Sequence, residues 1–218
     1  PEQGERVKIF NQMTESHQVG ELAKMVAALT GGLRRYILRE KGSVKDGTVI
    51  RAVVPVDLRR GSGERLGNKF GLVFMNLPIG IADPHERLLS VKQTMDELKN
   101  SPQAIMVLGL LAAVGTVPAE LEQKVVGLFG AQATTVLTNV PGPQEPLLLA
   151  GKEISSLMFW VPQSGGLGLG LSILSYNQQV RVGIATDAGL VPNPEQLVTD
   201  VEEAFEELLA VECGVGVS

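Results

Sequence analysis

The stretch Thr134-Thr135-Val136-Leu137-Thr138-Asn139-Val140-Pro141-Gly142-Pro143 decides how the chain is read. β-branched residues dominate its first half and argue for a strand over 134–140. The strand then breaks into a Pro-Gly-Pro turn, in which the prolines fix the backbone and Gly142 permits a positive φ. Asn139 is thereby expected at a defined place on the rim of a sheet. Two readings of it stand side by side: a rigid turn with an Asx cap, or an amide held ready for a ligand.

Working outward, the segments after this turn read as strands over 154–161, 167–176 and 180–186, the last two joined by a hairpin turn at Asn177-Gln178-Gln179. Before it the periodicity is helical. Leu22, Met25, Val26, Leu29, Leu33, Tyr36 and Ile37 mark a helix over 19–41 that Gly42 stops. Strands are expected over 48–56 and 70–77. Asp83-Pro84-His85-Glu86 carries a cap, a first-position proline and a capping-box glutamate, with Leu88, Val91, Met95 and Leu98 as the buried stripe behind it. Ser101-Pro102 opens an apolar helix to about residue 114, and Val117-Pro118 another to about 127–130. Asn193-Pro194-Glu195-Gln196 starts a terminal helix with Leu197, Val201, Phe205 and Leu208 on one side. Runs of strands and runs of helices predict an α+β fold, a mixed β-sheet with helices packed mainly on one face. One domain spanning 1–218 is expected, with 213–218 as a frayed tail.

Composition narrows the function classes. The chain has 218 residues, 44% hydrophobic and 20% charged, with a net charge of −5. That acidic balance argues against the basic face a nucleic-acid binder needs. Mean hydropathy is +0.16, high for a globular domain, and calls for either a large domain interface or an apolar substrate lining. The longest uncharged apolar run, 104–117, is shorter than the roughly 20 residues of a membrane span. The lone Cys213 has no internal disulfide partner, which fits a reducing, cytoplasmic setting. The chain opens on Pro1 and reads as a fragment or a processed form.

No complete catalytic constellation emerges. His17 and His85 are the only histidines, and both read as surface or cap-adjacent residues. Ser172 and Ser175 fall inside a strand without a nucleophile elbow. Two distant histidines and one cysteine match no metal-ligand spacing, so no metal is expected. The glycines of Gly165-Gly166-Leu167-Gly168-Leu169-Gly170 open a strand rather than a helix, which favours close packing or room for a ligand over a phosphate loop. The chain is therefore expected to supply half of an active site.

Gly32-Leu33-Arg34-Arg35-Tyr36, Val54-Pro55-Val56-Asp57-Leu58-Arg59, Gly67-Asn68-Lys69-Phe70, the segment 138–143, and Leu171-Ser172-Ile173-Leu174-Ser175-Tyr176 followed by Gly183 and Asp187 together resemble the C-terminal domain of the wax ester synthase/diacylglycerol acyltransferase family. The resemblance implies a chloramphenicol acetyltransferase-like half of a two-domain enzyme. It implies an N-terminal partner domain whose His-His-x-x-x-Asp-Gly motif, missing from this sequence, deprotonates the acceptor hydroxyl. Acyl-CoA would be the co-substrate, with no bound cofactor, and a fatty alcohol or diacylglycerol the acceptor. On this reading Asn139 orients or stabilises the thioester oxygen, Arg59, Arg60, Arg65 and Lys69 face CoA phosphates unless they are a solvated loop, and Pro141, Gly142 and Pro143 form the structural turn. Asp187 anchors a turn or the neighbouring domain. Peripheral contact with membranes or lipid droplets fits such products. Two alternatives stay open: a non-catalytic lipid- or protein-interaction module of the same fold, and a condensation-type enzyme with a carrier-bound donor.

Overall fold

The computed structural model describes residues 10–13, 18–57, 70–99, 101, 133–161 and 167–212. In chain order the elements are β1 (Phe10–Met13), α1 (Gln18–Lys41), β2 (Ile50–Asp57), β3 (Phe70–Leu77), α2 (Pro84–Lys99), β4 (Thr135–Pro141), β5 (Leu148–Leu149), β6 (Lys152–Glu153), β7 (Leu169–Tyr176), β8 (Gln179–Thr186) and α3 (Pro194–Glu212). Six strands form one sheet in the order β1-β8-β7-β4-β2-β3, and β5 and β6 pair separately as a small hairpin. The β2–β4 and β4–β7 pairs are parallel, and the other pairs are antiparallel. This is the mixed sheet expected, with α1, α2 and α3 on one face. The two helices expected between residues 102 and 130 lie outside the described residues, as do Cys213 and the tail.

One face of the sheet presents Ala52, Met75, Leu77, Leu137, Leu169, Leu171, Ile173, Val182 and Ile184 to the helices, and these join one hydrophobic core with α1 and α3. Helix α1 lies deepest, with Ala23, Val26, Ala27, Ala28, Leu29 and Leu33 all buried, because its small residues let neighbours approach on several sides. At Gly32 the approach to α3 is closest: an added Cβ would stand 2.3 Å from Val201 Cγ2 and 2.6 Å from its Cα. At Gly31 a Cβ would stand 2.7 Å from a guanidinium nitrogen of Arg87. Arg35 pairs with Glu203 and Glu207, and Arg39 pairs with the buried Asp200, so charge pairs continue the α1–α3 seam to its rim.

Arg87 is a buried cation, 3% exposed, on the same side of α2 as Val91. It donates to the carbonyls of Ala27, Ile81 and Ala82. Arg34 does the same for Ile79 and Gly80. The two forks satisfy four carbonyls of the part-buried loop between β3 and α2, which strand or helix pairing leaves over. Burial lowers the Arg87 pKa from its ordinary value, with like charge from Arg34 and Arg35 acting in the same sense and Glu207 opposing.

The helix ends follow their sequence signals. Asp83 Oδ1 accepts from the Glu86 amide at 2.8 Å, the capping bond expected of that motif. Gly42, at φ 75°, donates to the Leu38 carbonyl and ends α1. The β7–β8 hairpin turns on two residues rather than three: Tyr176 already pairs with Gln179, leaving Asn177 and Gln178 at φ 47° and 60°, the left-handed pair of a tight hairpin turn.

Residues 154–161 form no strand, which corrects the reading above. β4 pairs directly with β7 from Thr135↔Leu169 to Pro141↔Ser175, so no place remains between them for another strand. The chain instead turns back at β5 and β6 through Ala150 and Gly151, both at positive φ. It then crosses the second face of the sheet as an irregular strap. Strap backbone groups are satisfied by strand side chains. The buried Tyr176 hydroxyl accepts from Leu147 N and donates to the Ile154 carbonyl, both at 2.8 Å. Ser172 Oγ donates to the Phe159 carbonyl at 2.7 Å.

Candidate functional site at the rim of the parallel strands

β2, β4 and β7 run parallel, so their carboxyl ends share one rim of the sheet. Open sheets with parallel strands place ligands at that end. Asp57 closes β2 at this rim and pairs with Phe70, and Arg59, Arg60, Arg65 and Lys69 fall between the two in sequence. Those four residues themselves lie outside the described residues. Asn139 stands near the end of β4, opposite Ile173 of β7. It is exposed, and among the described residues nothing is bonded to its amide.

The Pro-Gly-Pro turn is built as its sequence demands. Gly142 N donates to the Ser175 carbonyl at 2.8 Å and approaches Ser175 Oγ at 3.3 Å. A Cβ on Gly142 would stand 2.2 Å from the Ser175 carbonyl oxygen, so lack of space, rather than a positive φ, reserves this position for glycine. Asn177 N donates to the Pro143 carbonyl, and Gln144 Nε2 to the Gly142 carbonyl. The turn is thus tied to β7 on its far side, and Asn139 is held by the strand without spending its amide on a cap.

The other chemistry-bearing residues are accounted for structurally. Ser172 is buried, with its hydroxyl on the strap. His85 is exposed in the first turn of α2, and His17 lies outside the described residues. Gly168 packs against Leu190, where a Cβ would meet Cδ1 at 1.9 Å, so close packing explains this member of the glycine run. Asp187 anchors a turn: its amide donates to Gly168, its carbonyl accepts from Leu190 and Val191, and its Oδ1 accepts from Gly189. Among the described residues no cluster of histidine, cysteine and acidic groups could hold a metal ion. None of the described helices is long and apolar enough to cross a membrane.

One feature of the rim escaped the sequence reading. The β2–β4 ladder consists of Ala52↔Thr135 and Val53↔Val136 alone, although β2 runs on to Asp57 and β4 to Pro141. Pro55 is the cause. Thr134 N donates to the Arg51 carbonyl, and alternation along a strand sends the backbone groups of residues 51, 53 and 55 toward β4. The next amide that β4 needs is that of residue 55, and proline has none. The signal was present in Val54-Pro55-Val56, since proline inside a strand pattern marks an edge or an interrupted ladder.

Comparison with known proteins agrees with this architecture. A solved wax ester synthase/diacylglycerol acyltransferase from Marinobacter aquaeolei VT8 superposes with a TM-score of 0.61 over 94% of this chain and 48% of that one, at 20% identity. The starter condensation domain of the rhizomide synthetase superposes with a TM-score of 0.52 at 14% identity, over 93% of this chain and 45% of that one. Both likenesses are of fold. A protein of Mycobacterium bovis named as a diacylglycerol O-acyltransferase is 29% identical over 191 residues, which cover 85% of this chain and 41% of that protein. A second M. bovis protein so named is 29% identical over 96% of the chain and 43% of its own length. The chain therefore spans less than half the length of these relatives. The model of the WS/DGAT C-terminal domain matches residues 66–209, ending in the last turns of α3, and with well over half of its length so matched the chain belongs to that family.

Proposed function

We propose that the chain is the C-terminal half of an O-acyltransferase that moves a fatty acyl group from acyl-CoA to a long-chain alcohol or diacylglycerol. The observation that carries this reading is Asn139, an exposed amide without a described partner at the carboxyl rim of the parallel strands, in a chain of the WS/DGAT C-terminal domain family. A histidine on the preceding half takes the proton of the acceptor hydroxyl. The freed oxygen attacks the thioester carbonyl carbon, and negative charge gathers on the carbonyl oxygen. Asn139 Nδ2–H donates to that oxygen as the charge develops. Collapse of the tetrahedral intermediate breaks the C–S bond, and the CoA sulfur leaves as the thiol after taking up a proton.

The test is Asn139→Ala in the full-length protein. Removing one donor of this kind lowers kcat by about 10²–10³-fold with little change in KM. A kcat within a factor of two of wild type would remove Asn139 from the chemistry. Peripheral contact with lipid belongs to the same reading and rests on Leu148 and Leu149, 71% and 70% exposed on the β5–β6 hairpin. Co-sedimentation of the full-length protein with phospholipid vesicles, lost in Leu148→Ser/Leu149→Ser, supports that contact, and unchanged sedimentation refutes it. A non-catalytic module of this fold would bind acyl chains yet show no transfer in any pairing of halves.

A further inference from the structure

We infer that Arg181 is the socket for a carboxylate side chain of the preceding half of the protein, and that the two halves meet over the second face of the sheet at β8. The identity of the partner rests on the division into halves proposed above, whereas the socket rests on this chain alone. Val182 and Ile184 point into the core, so alternation sends Arg181 to the opposite face, across from Leu174 of β7. It is 6% exposed there. A guanidinium keeps its charge at any pH a folded protein meets. Its described bonding is nevertheless a single contact, from Nη2 to the neutral Oε1 of Gln179 at 2.8 Å, and the buried Nε has no acceptor. No described carboxylate pairs with it. Arg87, by contrast, is buried against three carbonyls.

Buried charges are paired, and the arginine fork matches a carboxylate with two parallel bonds. The residues that share the face around Arg181, namely Ser172, Leu174, Tyr176, Gln179 and Gly183, carry no negative charge. The counter-charge therefore comes from outside the described residues. Two observations favour a protein surface over a free anion. The strap passes over Gly183, two residues along β8, where a Cβ would stand 3.1 Å from the Phe159 carbonyl oxygen, and the next strap residue, Trp160, is 54% exposed. An open aromatic beside a buried arginine is the composition of an interface core. In addition, β1 is the first described strand and sets Asn11 opposite Arg181, so whatever precedes residue 10 joins the sheet on this side. The M. bovis relatives carry more than half of their length outside the matched region, since the match covers 41% and 43% of them.

The experiment compares wild type, Arg181→Met and Arg181→Lys in the full-length protein. Removing one member of a buried ion pair strands the other, so Arg181→Met should lower Tm by roughly 5 °C or more. Were Arg181 unpaired, the same change would remove an uncompensated buried charge and raise Tm. A raised or unchanged Tm overturns the socket. Arg181→Lys keeps a cation and supplies an amine, which a carbodiimide joins to an adjacent carboxylate as an amide, the reagent leaving as its urea with the carboxylate oxygen. Peptide mass spectrometry then locates the acid, with wild type as the control that has no amine at this position. A cross-link from position 181 to an Asp or Glu of the preceding half is expected. A cross-link to an acid of this chain, or none, overturns the partner. If Arg181→Met fails to fold, as judged by circular dichroism, the cross-link decides alone. Cross-linked halves in a protein that transfers no acyl group count against the proposed function and leave the socket standing.

Discussion

Gly32→Ala and Gly20→Ala are the same substitution on the same helix, and the structure predicts opposite outcomes. Alanine gains up to about 1 kcal/mol over glycine inside a helix. At Gly20 nothing lies within 4 Å of the added methyl, so that gain is realised in whole or part. At Gly32 the methyl would stand 2.3 Å from Val201 Cγ2, 2.6 Å from its Cα and 2.7 Å from its amide nitrogen. A side chain could rotate away from such a contact, but the α3 backbone cannot without moving the helix. Separating α1 from α3 also stretches Arg35 from Glu203 and Glu207, and Arg39 from Asp200. Overpacking of this kind costs about 1–3 kcal/mol, and contact with backbone places it at the upper end. Subtracting the propensity gain leaves a net loss of about 1–2 kcal/mol, or a fall in Tm of roughly 2–8 °C for a domain of this size. Gly20→Ala should raise Tm by up to roughly 4 °C. Thermal melts of both variants followed by circular dichroism provide the readout. A Gly32→Ala protein as stable as Gly20→Ala would refute the close approach of α1 and α3.

Other consequences follow from buried hydroxyls. Burial raises the Tyr36 pKa above its ordinary value of 10.0, opposed by the Asn193 amide and reinforced by Glu40 and Asp200. The folded state thus holds the phenolic proton more tightly than the unfolded state. Its contribution is complete below about pH 10 and is lost as pH rises through the folded value. Urea midpoints should therefore fall more steeply between pH 9.5 and 11 (roughly, about the reference tyrosine value) for wild type than for Tyr36→Phe, and parallel curves would refute the burial. Tyr176→Phe leaves Leu147 N and the Ile154 carbonyl without their described partner. Both bonds are only part-buried, so their loss should cost about 0.5–1.5 kcal/mol each and speed amide exchange across residues 144–161. Unchanged exchange there would show that the strap is held by other means.

Much of this fold was legible because its signals are local. The Asp83 cap, the Gly42 stop and the β7–β8 hairpin each depend on a few adjacent residues, and each formed within a residue or two of its expected place. Strand β3 also matched, since a β-rich run of eight residues bounded by Asn68-Lys69 before it and Pro78 after it leaves little freedom. The failure at 154–161 was nonlocal: nothing in Ile154-Ser155-Ser156-Leu157 reveals that β4 and β7 lie side by side. Arg87 was hidden differently. Its spacing from Val91 places it on the buried side of α2, but its acceptors come from the distant Ala27 and from the loop before the helix. At the site, the turn 141–143 and the position of Asn139 could be read directly from proline and glycine chemistry. The interrupted ladder could not, because the consequence of Pro55 depends on knowing which strand lies beside it.

The most direct measurement of the central claim is acyl transfer from a long-chain acyl-CoA to a fatty alcohol or diacylglycerol, assayed with this chain alone, with the histidine-bearing half alone, and with the two combined. Neither half should turn over by itself, the combination should, and Asn139→Ala in this chain should abolish most of the restored rate. Robust turnover by the isolated chain, or a combination as inactive as its parts while the intact protein is active with the same substrates, would contradict a divided active site.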